Sequence, residues 1–406
     1  MYGTVELKNR ARYENVKPIP KEKLEKALAA ALDKLEKNIE IFGDKLALPV
    51  IGFDSTHPKG FSYNLYQKTD RVMWTTGTWT GLYWLAYQVS GNEKFRKVAE
   101  SHLPLYLEAS QNPKLLNDHD TGFKFIPSCV AAWRLTKNES ARAAALLAAE
   151  FLLAHYCKHN KFIIRTGQRS SQDKYNDYRT LVDTMMNISL FFWAYEETGY
   201  EAYLEAAKGH YETTTKYLVR EDGSSNHHYQ FDPVTLESVG NVTHQGNGDD
   251  SCWSRGQAWL VYGYSSAYGY TQDKSLIDAH RAVSYYFMDN LPQDGLPYWD
   301  FDFTDGSFEP RDSSASAIAA CGLYDVCKYL PENSEDKKLF KGAADLMLEK
   351  IIDTCVPKNE NAHCLITQVT ASRPHNKNIA NCETYGDYFY LEALIRALYP
   401  DKKIYW

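Results

Sequence analysis

Two short acidic phrases carry the residues of this chain best suited to proton transfer. Residues 118–123 read DHDTGF and bring Asp118, His119 and Asp120 to the start of an apolar segment, while VDTMMN at 182–187 places Asp183 ahead of Met185, Met186 and Phe191. A carboxyl beside such neighbours is partly desolvated, which raises its pKa toward the range of a general acid. Each aspartate would equally serve as a helix N-cap, with Gly122 making the turn behind Asp120. A third phrase, THQGNGDDSCWSRGQAW at 243–259, sets Gln245, Trp253 and Arg255 among glycines and acids. Flat rings beside amide and guanidinium donors suit a wall that recognises a sugar or an acidic group. The plainer reading is a glycine-rich loop entering a helix at Trp253. Trp74 and Trp79 in WTTGTWTG either line a subsite or pack. His227 and His228 in SSNHHYQFDP form a pair in a loop, but no third ligand stands at a metal-site spacing, so no metal is expected. GxSxG, GxGxxG and P-loop phrases are absent, which removes the motif-based case for an esterase, a dinucleotide or a nucleotide site, and no cofactor is expected.

The elements that must position these residues repeat. An aromatic-rich helical segment, a short turn and a charged amphipathic segment recur near residues 82, 130, 190, 259 and 317, with apolar residues three and four apart on both sides of each turn. Gly91, Gly199 and Gly269 sit just before or within the turns, where a left-handed C-cap favours glycine. Asn92 and Asp273 read as N-caps of the second helices, and Asn138 is a further one. Helices over 22–42 and 388–399 can pair across the termini as a sixth hairpin. Six inner and six outer helices closed into a ring make an all-α (α/α)6 barrel, one domain over residues 1–406 with an extended arm over 1–20. Strand-like runs are few: Tyr229–Phe231 and the stretch around Pro297–Phe303. In such a ring the functional groups belong at the starts of inner helices or in the loops before them.

Composition narrows the partners. Of 406 residues, 14% are aromatic, including 30 Tyr and 9 Trp, more than a core ordinarily requires and in keeping with a carbohydrate cleft. A net charge of −7 without a Lys/Arg cluster argues against nucleic acid. No apolar run is long enough to span a bilayer, so no membrane role is expected, and the first residues have no apolar core of a signal peptide. Eight scattered cysteines without CxxC spacing fit a reducing, cytoplasmic setting.

The phrases WTTGTWTGLYWLAY, DHDTGF, VDTMMN, SSNHHYQFDP, THQGNGDDSCWSRGQAW, PYWDF, RDSSASAIAACGL and YGDYFYLEAL together resemble one family, the unsaturated glucuronyl hydrolases of glycoside hydrolase family 88. They follow the family's order from residue 74 to 394. The resemblance implies an (α/α)6 barrel acting on lyase-generated glycosaminoglycan oligosaccharides that end in a 4,5-unsaturated uronate. It implies hydration of a vinyl ether, with Asp183 as acid and then base and Asp120 as the second aspartate, whose like charge would raise the pKa of Asp183 further. Trp74, His119, His227, Gln245, Trp253 and Arg255 fall on substrate-binding positions, with Arg255 an electrostatic partner for the uronate. Two departures stand out. Gly167 in IIRTGQ replaces a tryptophan of many members, removing one stacking platform. Ser372, His375 and Lys377 match the Ser-x-x-Ser-x-Lys pattern of members that accept sulfated fragments, with histidine for the second serine; a pocket for a sulfated aminosugar and a solvated loop are the alternatives. Rival readings are a rhamnogalacturonyl or other uronyl hydrolase on the same fold and a catalytically silent sugar-binding barrel.

Overall fold

The computed structural model describes residues 5–50, 64–166 and 178–406. Among the described residues, six helical stretches line the inside of a ring: Trp74–Ser90, 121–136, 184–198, Ser254–Thr271, Ser313–Val326 and Thr384–Leu398. Six wrap outside: Lys21–Phe42, Glu93–Ser110, Glu139–Ala154, Glu201–Tyr217, Lys274–Asn290 and Glu335–Thr354. Each inner stretch packs on the next, and Thr384–Leu398 packs on Trp74–Ser90 to close the circle. The fold is the (α/α)6 barrel, and Lys21–Phe42 pairs with Thr384–Leu398 as the sixth hairpin.

The two rings differ in sequence because they differ in what surrounds them. Lys21–Phe42 buries Leu24, Leu28, Ala31, Leu35, Asn38 and Phe42, one stripe at helical spacing, and leaves its lysines and glutamates to water. Ser313–Val326 is buried at every residue, so it has no polar face. Small residues there let helices approach: a Cβ on Gly322 would lie 2.6 Å from Tyr262 Cα. The inner stretch 121–136 passes through a π-helical turn, Ile126–Val130, at Pro127, whose nitrogen has no hydrogen to donate.

The hairpin turns are built much as their residues dictate. Asn92, Asn138 and Asp273 accept from the backbone N–H of Lys94, Ala141 and Ser275 at 3.0, 2.9 and 3.0 Å. Gly91 and Gly199 end their helices with φ of 67° and 69°. Gly269 differs: it lies inside Ser254–Thr271, the left-handed cap falls on Gln272, and the glycine makes room for the Tyr329 hydroxyl, 2.4 Å from where a Cβ would stand. The N-terminal arm contains a short helix, Arg10–Glu14. It is tied down through Arg12, which donates to the carbonyls of Leu291 and Pro292 at 2.6 Å each.

At the mouth, Arg179–Leu181, His228–Phe231 and Ser238–Val242 form an antiparallel sheet. The strand expected around Tyr229 is there. The one expected around Pro297–Phe303 is not, because its backbone bonds alternately to two different segments, through isolated bridges of Tyr298 with Arg311 and Trp253 with Asp300.

Candidate active site

Asp120 and Asp183 each stand one residue before an inner helix, Thr121–Phe125 and Thr184–Asn187, yet neither side chain caps its helix. Both carboxyls are therefore left for other partners. The two helix starts are stitched together: Phe123 N–H donates to Asn187 Oδ1 at 2.8 Å, and Gly122 sits so close that a Cβ would be 2.5 Å from Asn187 Cα. The mouth sheet supplies the third side. Leu181 pairs with His228, and Val182 N–H donates to the His227 carbonyl at 3.0 Å, which brings His227 beside Asp183.

Between the acids lies His119. Its Nδ1 is 3.2 Å from the Arg165 carbonyl, to which it donates, and this turns Nε2 toward Asp120 Oδ1 at 3.3 Å and Asp183 Oδ2 at 3.8 Å. These are ion-pair distances, not aligned hydrogen bonds, since Nε2 and Asp183 Oδ1 have no hydrogen-bond partner among the described residues. Burial pulls the His119 pKa down, but Asp120 and Asp183 outweigh it and lift it to about 9. The imidazolium is thus the counter-ion of the acid pair. One atom from each of the three residues can be chosen within 4.8 Å of the others, a spacing a cation could also use. In the free protein the imidazolium itself fills that place, with Nε2 facing both acids.

The two acids respond oppositely. Burial raises Asp120 to about 6 against the pull of His119, helped by the charges of Asp183 and Asp118. Asp183 feels the same burial, yet its contact with His119 and the charge of that imidazolium hold the carboxyl below its ordinary value. This corrects the expectation that Met185, Met186 and Phe191 together with Asp120 would raise Asp183. In the free protein the like-charge penalty falls on Asp120.

A cavity of about 330 Å³ opens over the pair, lined also by Trp74, His227, Gln245, Trp253 and Arg255. His227 Nδ1 faces the backbone N–H groups of His244 and Gln245, each at 3.2 Å, so it accepts, and the ring proton resides on Nε2. Burial drops its pKa to about 3 against the pull of Asp183, so His227 is a neutral donor. That use of Nδ1 also speaks against the His227–His228 pair as a metal site. Gln245 Nε2 donates to the Ala371 carbonyl at 2.7 Å. The Trp253 ring lies 4.6 Å from that of His227, and the Arg255 guanidinium sits 4.6 Å over its indole. Trp74 stacks on Tyr385 at 4.8 Å and 23°, whereas Trp79 is fully buried packing.

A second lobe of about 300 Å³ shares Trp74, His244, Gln245 and Arg255 with the first and is walled by Ser372, His375 and Lys377. Ser372 and Lys377 exchange backbone hydrogen bonds at 3.0 and 2.9 Å, and Ser372 Oγ lies 2.8 Å from His375 Nδ1. The His375 ring contacts that of His244 at 4.1 Å.

Residues 53–397 match the family described as Glycosyl Hydrolase Family 88. The chain belongs to that family. It is 36% identical over 407 residues to the unsaturated chondroitin disaccharide hydrolase of Streptococcus pneumoniae, covering 98% of both chains. Its fold superposes on a crystal structure of the unsaturated glucuronyl hydrolase from Streptococcus agalactiae with a TM-score of 0.92, at 36% identity, over 100% of this chain and 99% of the other. A mutant of that enzyme complexed with dGlcA-GalNAc6S superposes with a TM-score of 0.85, at 34% identity and the same coverage.

All eleven site residues expected from the sequence line one or both lobes of this family-88 cleft. One is differently employed. Arg255 is 2% exposed; it pairs with Asp312 and donates to the carbonyls of Thr370 and Ala371 at 2.7 and 2.6 Å. Its charge is already neutralised, so it holds Trp253 and the 370–372 backbone in place rather than offering a free cation. Gly167 lies outside the described residues. Sequence reasoning did not single out Glu383 and Tyr385, both in the second lobe. Glu383 has only its position as a signal, at the start of the last inner helix, Thr384–Leu398, while Tyr385 opens the family phrase YGDYFYLEAL.

Proposed function

We propose that this family-88 glycoside hydrolase removes the 4,5-unsaturated glucuronic acid from the non-reducing end of lyase-generated glycosaminoglycan oligosaccharides. The observation that carries the reading is the close acid pair. Asp120, Asp183 and His119 bring one atom each within 4.8 Å of one another on one side of the cavity. Both carboxyls face one histidine nitrogen, Asp120 at 3.3 Å and Asp183 at 3.8 Å, and such a single acid centre fits protonation and hydration of one double bond.

The unsaturated uronate fills the inner lobe, against Trp253 and under the His227 Nε2 donor. Its carboxylate adds a negative charge beside a pair already crowded with charge, and this drives a proton onto Asp183. Asp183 gives that proton to C4, leaving the positive charge shared by C5 and the ring oxygen. The Asp183 carboxylate then takes a proton from water as the water oxygen bonds to C5. The hemiketal opens to a C5 ketone, and the hemiacetal left at C1 expels the neighbouring sugar as an alcohol. Asp120 and His119 hold the charge balance throughout. In the outer lobe, Ser372, His375 and Lys377 are the donors for a sulfate on the neighbouring aminosugar. The complex of the Streptococcus agalactiae mutant with dGlcA-GalNAc6S supports this.

The test is loss of the unsaturated uronate's ultraviolet absorbance on adding unsaturated chondroitin disaccharides. Steady loss with release of the aminosugar is expected. Constant absorbance with every such disaccharide would reject the reaction.

A further inference from the structure

Glu383 is a buried acid in a lobe otherwise furnished with donors. It is 4% exposed and lines the outer lobe with Ser372, His375 and Lys377. Although it occupies the N-cap position of Thr384–Leu398, its side chain makes no cap. Asn378 Nδ2 donates to Oε1 at 2.7 Å, and no hydrogen bond from the described residues reaches Oε2. A residue placed to start a helix, yet lining a cavity instead of capping, needs another reason to be acidic.

We infer that Glu383 is a charge gate on the outer lobe: ionised, it disfavours a sulfated neighbouring sugar and favours an unsulfated one, whose hydroxyl it accepts. The inference rests on the reaction proposed above and names what selects its substrate. Two anions in one water-poor lobe repel, whereas a carboxylate beside a hydroxyl gains a charge-assisted hydrogen bond. The same lobe therefore changes preference with the protonation of one residue. Burial raises the Glu383 carboxyl to about 7, eased by Asn378, Arg255 and Lys377 and reinforced by Asp312. From the other packed elements, His375 and His244 face the lobe, and Tyr385 shares its helix. Arg255 is held by Asp312 and burial lowers His244 to about 4, which leaves Ser372, His375 and Lys377 as the groups able to favour sulfate.

The experiment compares kcat/KM for unsaturated chondroitin disaccharide with and without a 6-sulfate across neutral pH. In the unmodified protein the sulfated-to-unsulfated ratio should fall as pH rises through the titration of Glu383. In Glu383→Gln the ratio should stay level, about five-fold above the unmodified protein at about pH 8 and close to it at about pH 5.5. His375→Ser should keep the slope. A level ratio in the unmodified protein overturns the inference without any variant, and so does a slope that survives Glu383→Gln or vanishes in His375→Ser. Absence of turnover with both disaccharides would instead reject the proposed reaction.

Discussion

Asp183 is ionised in the free protein because of one neighbour. The His119 Nε2 proton lies between the two acids, and Nδ1 is committed to the Arg165 carbonyl, so the ring cannot turn away. A carboxylate that must become an acid needs a partner that can change its charge environment, and a substrate bearing its own carboxylate does so on arrival. Asp183→Asn removes the transferable proton while keeping the shape. Turnover should fall by about 10²- to 10⁴-fold, with disaccharide binding still measurable by calorimetry. A variant retaining a tenth of the activity would move the acid role to Asp120, the carboxyl lifted to about 6.

Among elements, the contact between two helix starts sets the distance between the acids. Gly122 and Asn187 meet backbone to backbone, so there is no flexible side chain to give way. Gly122→Ala should cost about 1–3 kcal/mol of stability, read from urea unfolding. It should also lower kcat more than it raises KM, because the shift separates Asp120 from Asp183 without touching the sugar walls. An unchanged kcat alongside the lost stability would show that the contact supports the fold but not the acid pair. Much of this level is legible in the chain. Asn92, Asn138 and Asp273 cap as their positions suggest, since capping is settled within three residues. Gly269 shows where local reading stops, for its reason is Tyr329, brought near only by the ring.

At the scale of the whole molecule, a buried network joins three inner helices. Arg396 donates to Glu392 Oε1 at 2.8 Å, Asp325 Oδ1 at 2.6 Å and the Tyr262 hydroxyl at 2.5 Å. Burial opposes the charge of Asp325, but Arg396 and Lys328 outweigh it and bring its pKa to about 2. A carboxyl lowered in the folded state adds stability above its unfolded pKa and loses it as pH falls through about 2. Arg396→Met would leave buried Asp325 with Lys328 as its one remaining ion-pair partner and should cost about 3–5 kcal/mol near neutral pH, with the deficit shrinking in acid as Asp325 protonates. Urea midpoints measured at both pH values check it, and a deficit independent of pH would mean that lost packing, not charge, is the cause.

The hairpin repeat, the closing pair of terminal helices and the family phrases were decided by the sequence alone. Each rests on neighbours along the chain, on apolar spacing within one helix or on the order of short motifs. The tertiary structure decided what the charges do. Arg255 is spent on Asp312 and on the carbonyls of Thr370 and Ala371, partners 57 to 116 residues away. Asp183 is lowered and Asp120 raised by a histidine whose position depends on the Arg165 backbone. Glu383 faces a cavity rather than its own helix. Proton affinity and ion pairing depend on distance through space and on access to water, and both quantities come into being only when the ring closes.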